Sequence, residues 1–249
     1  MPHTPRSVPA PGDAVVSCHV EAPLEDAVWR LFARLQRDRP AGFRIAALIR
    51  PPHEGEDRER WLGRAREAAE RGPLGQHTHF GRPNHGWPLT AGDVDRAREE
   101  AEWLRESGVA PTLFCGGAWY MDAEVAELAV ECGYADCTAL AFRPRYLERG
   151  RTYLHVDRPS WLRLPSGTRL LELPSTHSIG MLARALMRPA GVAAPLVHAY
   201  FHDTDLLDPR RRTLISFALR LLGARRRPTD LDALRAADAE VPYEEAVRS

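Results

Sequence analysis

The sequence contains no lysine, so all 34 of its basic residues are arginine. Its 34 acidic residues balance them, and the formal net charge at pH 7 is zero. A protein without net charge has no global electrostatic field that would draw it to nucleic acid or to an anionic membrane. We therefore expect neither nucleic acid nor a membrane among its partners.

The sequence also lacks a long apolar run and an apolar signal segment near its start. No stretch approaches the roughly 20 apolar residues that span a bilayer, and residues 1–12 are rich in proline instead. The four cysteines fit no zinc-ribbon or disulfide-framework spacing; they are Cys18, Cys115, Cys132 and Cys137. These absences favour a reducing, cytoplasmic location.

Short apolar strands alternate with amphipathic helices along most of the chain. Residues 14–20 form an apolar, β-branched run that predicts a buried strand, and residues 24–37 carry apolar side chains at helical spacing. This unit recurs about seven times, and repeated βα units imply a parallel sheet covered by helices. Residues 141–167 show no such pattern and are predicted to be irregular, while a last short helix is predicted over 231–237.

These patterns predict one α/β domain built as a distorted (β/α) barrel of about seven parallel strands. At 249 residues a closed or nearly closed barrel is favoured over an open, doubly wound sheet. We expect the barrel to span residues 14–240. A disordered lead-in over residues 1–13 and a C-terminal tail over 241–249 would flank it.

Polar residues are concentrated where predicted strands end. In α/β barrels the carboxyl ends of the strands hold the active site, and buried histidines and carboxylates are costly unless they bind something. The residues at or just past strand ends are Glu21, His77, His79, Cys115, Gly116, Gly117, Asp136 and His202. We therefore expect one polar site at the mouth of the barrel.

His77 and His79 form the most suggestive pair. Residues two apart on a strand point to the same face, and neutral imidazole is a common zinc ligand. Alone, such a pair is more typical of a surface or hydrogen-bonded contact. Together with Glu21 it would supply one carboxylate and two imidazoles, which leaves a position open for water, as in catalytic zinc sites.

Several segments, taken in order, resemble the motifs of the polysaccharide deacetylases, which are carbohydrate esterase family four and share the NodB-homology fold. The pair His77 and His79 resembles the Gly-x-His-x-His second motif found in one branch of that family. The matching segments are Ser17-Cys18-His19-Val20-Glu21, Gly75-Gln76-His77-Thr78-His79-Phe80, Phe114-Cys115-Gly116-Gly117-Ala118-Trp119, Leu171-Glu172-Leu173-Pro174 and Tyr200-Phe201-His202-Asp203-Thr204-Asp205-Leu206.

The resemblance implies a distorted (β/α) barrel with a bound divalent metal, most often zinc. It implies hydrolysis of an N-acetyl or similar acyl amide on a sugar or a sugar-containing small molecule. By position, Glu21, His77 and His79 match the metal ligands of the family. His202 matches the general acid that protonates the leaving amine.

Two positions depart from the family pattern. His19 stands where the family has its acidic base, and Cys115 stands where it has an arginine that pairs with that base. The two changes are linked, because an arginine without its carboxylate would be an unpaired cation in a closed site. Three possibilities follow: His19 is itself the base, His19 joins the metal ligands, or the site binds a glycan or metal without turnover.

The loop that follows Cys115 is predicted to contact the substrate through Gly116, Gly117, Trp119 and Tyr120. Aromatic side chains at a barrel mouth could stack on a sugar ring, and Trp87 offers a further one. Such rings can equally pack a loop.

Three further assignments concern single side chains. Asp136 is predicted to hydrogen-bond within the site and to tune His202. His85 is an alternative to His79 as the third metal ligand. His198 shares a strand with His202 but lies deeper, so it is predicted to fill the core.

Overall fold

The computed structural model describes residues 12–80, 94–144, 151–188 and 194–249. The predicted lead-in lies outside these residues up to position 11, and so do His85 and Trp87. Across the described ranges, no helix combines the length and the apolar composition needed to cross a membrane.

Strands and helices alternate through the described residues. The strands are β1 (Asp13–Val20), β2 (Ala46–Ile49), β3 (Leu74–Thr78), β4 (Leu113–Gly116), β5 (Ala135–Asp136), β6 (Tyr153–Leu154), β7 (Ser160–Arg163), β8 (Arg169–Glu172), β9 (His177–Ser178), β10 (Leu196–His202), β11 (Arg227–Pro228), β12 (Ala239–Pro242) and β13 (Val247–Arg248). The helices are α1 (Asp26–Asp38), α2 (Arg58–Ala69), α3 (Val94–Glu106), α4 (Ala123–Glu131), α5 (Ile179–Leu186), α6 (Pro209–Arg225) and α7 (Tyr243–Ala246). Short 3₁₀ turns cover Pro40–Gly42, Gly117–Trp119, Asp203–Leu207 and Leu231–Ala233.

The central sheet is a ring of parallel strands. In space the order runs β8, β5, β4, β3, β2, β1, β10 and β9, with every neighbouring pair parallel. Strands β8 and β9 are joined by residues 173–176, and backbone hydrogen bonds connect this linker to the strands on both of its sides. The N–H of Ser175 donates to the carbonyl of Ala139 beyond β5, and the N–H of Thr176 donates to the carbonyl of His198 on β10. The predicted α/β fold with about seven parallel barrel strands is confirmed.

Strand β1 runs through the middle of the sheet and is buried along its whole length. Its side chains alternate: Val15 belongs to the apolar cluster inside the barrel, whereas Val16 and Cys18 pack in the cluster beneath the helices. Burial on both faces explains why the strand reads as a continuous apolar run. The same alternation places Ser17 and His19 inside the barrel.

Two predictions about local structure are wrong. Residues 141–167 are not wholly irregular, because β6 lies there and β7 pairs antiparallel with β8. The helix predicted over 231–237 is only the 3₁₀ turn Leu231–Ala233. Strands of two to four residues carry too little pattern to be recognised, and pairing with distant partners decides their conformation. Residues 239–248, which include most of the expected tail, form β12, α7 and β13.

Candidate metal centre

Neighbouring strands bring the predicted site residues to one end of the barrel. His19 on β1 is the register partner of His202 on β10, and His77 on β3 is the register partner of Cys115 on β4. Glu21 directly follows β1. Because these strands are parallel and adjacent through β2, their carboxyl ends meet at the same mouth.

Glu21 lies between the two histidines of the second motif. Its Oε1 is 3.1 Å from Nε2 of His77, and its Oε2 is 3.0 Å from Nε2 of His79. Burial by itself raises the pKa of Glu21, but the two imidazoles outweigh burial and hold that pKa well below its usual range. The carboxylate is therefore ionised and faces both rings.

The backbone of Cys115 orients His77. Nδ1 of His77 lies 2.9 Å from the carbonyl oxygen of Cys115, and a carbonyl can only accept, so Nδ1 carries the proton and donates it. Nε2 is then the nitrogen available to a metal, an arrangement typical of ligating histidines. Burial lowers the pKa of His77, but Glu21 outweighs burial, so the pKa is raised overall.

The ring of His79 could take a further partner. Both of its ring nitrogens are buried and neither makes a well-directed hydrogen bond within the described residues, although Nε2 is close to Glu21. Burial lowers the pKa of His79, which favours the neutral ring that binds metals. An unsatisfied buried polar group costs about 1–3 kcal/mol. A divalent cation between Nε2 and Glu21 would remove part of that cost, so these residues fit a metal ion.

Two glycines after β4 allow close backbone packing at the site. A Cβ on Gly117 would lie 2.8 Å from Cγ of His79, closer than real contacts allow. A Cβ on Gly116 would lie 1.8 Å from the carbonyl oxygen of Tyr120. The sequence predicts that both glycines contact the substrate. In the structure, their lack of a side chain leaves space for His79 and for the carbonyl of Tyr120.

The aromatic residues predicted to contact the substrate lie in different surroundings. Ala118 and Trp119 adopt left-handed backbone conformations with φ of 48° and 65°. This turn directs the Trp119 ring into the barrel, where it is 3% exposed. The ring centroid lies 5.0 Å from that of His19 and 4.8 Å from that of Tyr200. Tyr120 is half-buried, and its hydroxyl donates to Asp122.

His19 lies beneath the mouth, enclosed by aromatic rings. It is 3% exposed, and its ring stacks on Tyr200 with centroids 5.3 Å apart. The rings of His77 and His202 lie 4.7 Å and 5.1 Å away. Burial, with His77 and His202 beside it, places the pKa of His19 well below its ordinary value. His19 is therefore neutral.

His202 ends β10 and opens onto the mouth. Its backbone N–H donates to Oδ2 of Asp205, which fixes the start of the following 3₁₀ turn. Burial lowers the pKa of its imidazole. The neutral form therefore predominates in the resting site.

Asp136 lies apart from the polar side chains Glu21, His19, His77, His79 and His202 at the barrel mouth. Its strand neighbours Ala135 and Cys137 belong to the cluster inside the barrel, so Asp136 points outward between them. It accepts a hydrogen bond from Thr138 and contacts the carboxyl of Glu172, its register partner on β8. The contacts that the structure gives Asp136 do not include His202, whose tuning was predicted.

The loop that carries Glu21 is anchored by two residues that were not singled out from the sequence. Nε of Arg50 donates to the carbonyl of Glu21 at 2.7 Å, and the same guanidinium makes two bonds of 2.7 Å to Glu56. On the other side, Asp203 accepts the N–H of Ala22 at 3.0 Å. Their positions just after β2 and β10 are the signal that could have revealed both.

A cleft of about 620 Å³ opens over the cluster. Glu21, His79 and His202 line it from the cluster, and Arg50 and His53 line it from the segment after β2. Arg50 in its lining is paired with Glu56, and Glu21 and Glu25 add two further carboxyl groups. The lining is therefore polar, with an excess of carboxyl groups.

Three overlapping groups of side chains in the described residues could hold a metal ion, each with ligand atoms within 4.8 Å of one another. One is the predicted set of Glu21, His77 and His79. The others are His19 with Glu21 and His202, and His19 with His77 and Cys115. The structure thus offers ligand groups for a cation without identifying the metal.

No protein-family model matches this chain, and no curated protein sequence matches it. Solved structures do resemble it. A family 4 carbohydrate esterase from Streptomyces lividans, in complex with acetate, is 11% identical with a TM-score of 0.45, over 87% of this chain and 88% of its own.

Two other solved structures are similar to a comparable degree. A Bordetella bronchiseptica protein described as a polysaccharide deacetylase involved in O-antigen biosynthesis is 14% identical with a TM-score of 0.47, over 90% of this chain and 88% of its own. A 4-alpha-glucanotransferase from Thermococcus litoralis is 12% identical with a TM-score of 0.49, over 94% of this chain and 38% of its own. At these values the likenesses carry no argument about activity, which rests on the residues themselves.

Proposed function

We propose that this protein is a metal-dependent hydrolase that removes an N-acetyl or similar acyl group from a sugar or a sugar-containing small molecule. The observation that carries the proposal is the cluster of Glu21, His77 and His79 at the barrel mouth, where the described residues give neither buried nitrogen of His79 a well-directed hydrogen bond. The motif resemblance described above points to the same chemistry and supplies the substrate class.

Glu21, His77 and His79 would hold the divalent cation, with zinc as the preferred ion because two imidazoles and one carboxylate suit it. Bound there, the cation would supply Lewis-acid chemistry by polarising the acyl carbonyl and acidifying water. Arg50 and the carbonyl of Cys115 are positioning groups. Arg50 holds the backbone of Glu21, and the carbonyl holds the ring of His77.

His19 and His202 would handle the protons. The neutral imidazole of His19 has one nitrogen lone pair that would accept a proton from the attacking water, and the burial that lowers its pKa makes it a weaker base than an exposed histidine. His202 borders the cleft and is neutral at rest, so it would take up the proton that His19 removes from water and then give it to the leaving amine. The two rings are 5.1 Å apart, which keeps both within reach of one small reaction centre.

The cleft would hold the substrate. Its volume of about 620 Å³ lies in the roughly 300–1,000 Å³ range of small-molecule sites. The imidazoles and carboxylates that line it can hydrogen-bond to sugar hydroxyls. A sugar unit or a small glycosylated metabolite fits this lining better than a strongly anionic ligand, because carboxyl groups outnumber the guanidinium of Arg50 there.

Acetate release from a panel of N-acetylated sugars tests the proposal. We expect activity that is lost on chelation and restored by zinc, and His19→Ala should lower kcat/KM by about 10²–10⁴-fold, the usual contribution of a proton-transfer group. His177→Ala is the matched control, because His177 contacts Thr176 and not the cluster. Wild type and His19→Ala that are equally inactive with metal bound would contradict the catalytic role.

A second candidate is a non-catalytic protein that binds a glycan or a metal through the same cluster. The observation that favours it is the burial of His19 at 3% exposure, in the place where the resembling family has an acidic base. The double variant His19→Asp with Cys115→Arg separates the two candidates. If only the double variant releases acetate, the native protein is a binder and not an enzyme.

A further inference from the structure

A second group of metal-ligating atoms lies directly beside the first. His19, Glu21 and His202 place ligand atoms within 4.8 Å of one another, just as Glu21, His77 and His79 do. Each group consists of one carboxylate and two imidazoles. The two groups have Glu21 in common and differ in both of their histidines.

His19 does not simply add a fourth ligand to the first group. Within the described residues, it forms no common group with Glu21 and His77 together, although its ring is 4.7 Å from that of His77. Its position is fixed, since Tyr200 stacks on the ring and Trp119 packs beside it. His19 and the first group are therefore not placed to bind the same cation, which argues for two cation positions.

From this geometry we infer that His19, Glu21 and His202 form a second divalent-cation site, of the zinc class, that shares the Glu21 carboxylate with the first. A carboxylate has two oxygens and can bridge two cations that lie about 3.5–4 Å apart. The imidazoles of His19 and His202 are both buried or half-buried, and the Asp205 contact fixes the backbone of His202. Two imidazoles thus lie next to the Glu21 carboxylate, with ligand atoms within 4.8 Å of one another.

The second site is weaker than the first and inhibits the protein. Two cations that share one carboxylate repel each other, so we expect the second to bind about tenfold or more weakly. A histidine whose lone pair binds a metal cannot accept a proton on that nitrogen, so it cannot pass through the imidazolium form that proton transfer requires. Occupancy of the second site would therefore remove both proton-transfer groups of the proposed function, on which this inhibitory effect rests.

Titration of metal-free protein with zinc, followed by calorimetry and by elemental analysis after dialysis, tests the inference. We expect one tight and one weaker binding event in the wild type. His202→Ala should lose only the weaker event, by more than about 100-fold in affinity. Cys115→Ser should keep both, because the thiol belongs to neither group, and His177→Ala serves as the matched control.

Each other outcome has a distinct meaning. A single tight event in the wild type overturns the second site and leaves the proposed function intact, whereas no tight event overturns both. Loss of the weaker event in Cys115→Ser, with its retention in His202→Ala, would assign the second cation to His19, His77 and Cys115 instead. Cobalt substitution keeps the test independent of activity, since two cations bridged by Glu21 give a magnetically coupled spectrum and isolated ones do not.

Discussion

Gly117 determines how closely the turn after β4 can approach the metal centre. The sequence predicts that this glycine contacts the substrate, and the structure places it against the ring of His79. Any side chain at position 117 would collide with that ring, so the ring or the turn would have to move. The lack of a side chain on Gly117 therefore leaves space for His79, which is one of the proposed metal ligands.

Gly117→Ala should weaken zinc binding by about tenfold or more, in the range caused by disturbing the support of a ligand. The added Cβ would lie 2.8 Å from Cγ of His79, so the ring or the turn must move. Isothermal titration with zinc measures the effect. Gly63→Ala is the control, because a Cβ there meets nothing within 4 Å and alanine favours the helix. Equal zinc affinity in Gly117→Ala and wild type would contradict this role of Gly117 at the metal centre.

Glu21, His77 and His79 could be predicted as a group because strand alternation and strand ends are visible in the sequence. The support of His77 could not be predicted in this way. It comes from the backbone carbonyl of Cys115, and a carbonyl is present at every position whatever the side chain. The burial of Trp119 could not be predicted either, since it depends on left-handed backbone at Ala118 and Trp119. From a sequence, that conformation is expected mainly at glycine.

The pairing of β5 with β8 buries two carboxyl groups side by side. Asp136 and Glu172 are register partners and are both fully buried. One oxygen of each finds no N–H or O–H donor within the described residues, so a proton shared between the two is the donor that satisfies them. Burial raises the pKa of both carboxyls, so the pair retains that proton to higher pH than exposed carboxyls do.

This pair predicts a specific dependence of stability on pH. The folded pair holds a proton that the unfolded chain releases above about pH 4, so the wild type loses stability as pH rises from there towards the raised pKa. Glu172→Gln removes the need for that proton, because its amide can donate to Asp136. We expect its melting temperature to exceed that of the wild type by about 3 °C or more at pH 8, with a smaller difference at pH 4.

Differential scanning calorimetry of the two proteins at both pH values measures this effect. Glu240→Gln on β12 is the matched control, since Glu240 is exposed and pairs with Arg163 at the surface. A difference between Glu172→Gln and wild type that does not change with pH would contradict the shared proton.

The orientation of Asp136 illustrates why sequence reasoning placed it wrongly in space. Asp136 stands at a strand end, as Glu21 and His77 do, but successive residues on a strand face opposite sides. Cys137, one position later, points into the barrel. A shift of one residue moves every side chain of a strand to the opposite face of the sheet. Strand β5 has only two residues, too few for a sequence pattern to show which face each side chain occupies.

The molecule as a whole follows from repeated βα units, and this part was predictable. Long apolar runs such as β1 and β10 identified the ring, because strands buried on both faces need continuous apolar sequence. The antiparallel additions β7 and β6 were not visible, since their two to four residues take their conformation from partners far along the chain. Closure of the ring through Ser175 and Thr176 likewise depends on backbone bonds.

The central claim is that Glu21, His77 and His79 hold a divalent cation at the mouth of this barrel. The most direct test is an anomalous difference map from crystals grown with one equivalent of zinc, with data collected on both sides of the zinc absorption edge. The account predicts one strong peak about 2 Å from Nε2 of both histidines and from a Glu21 oxygen. A map without a peak there, or with its peak on other side chains, would contradict it.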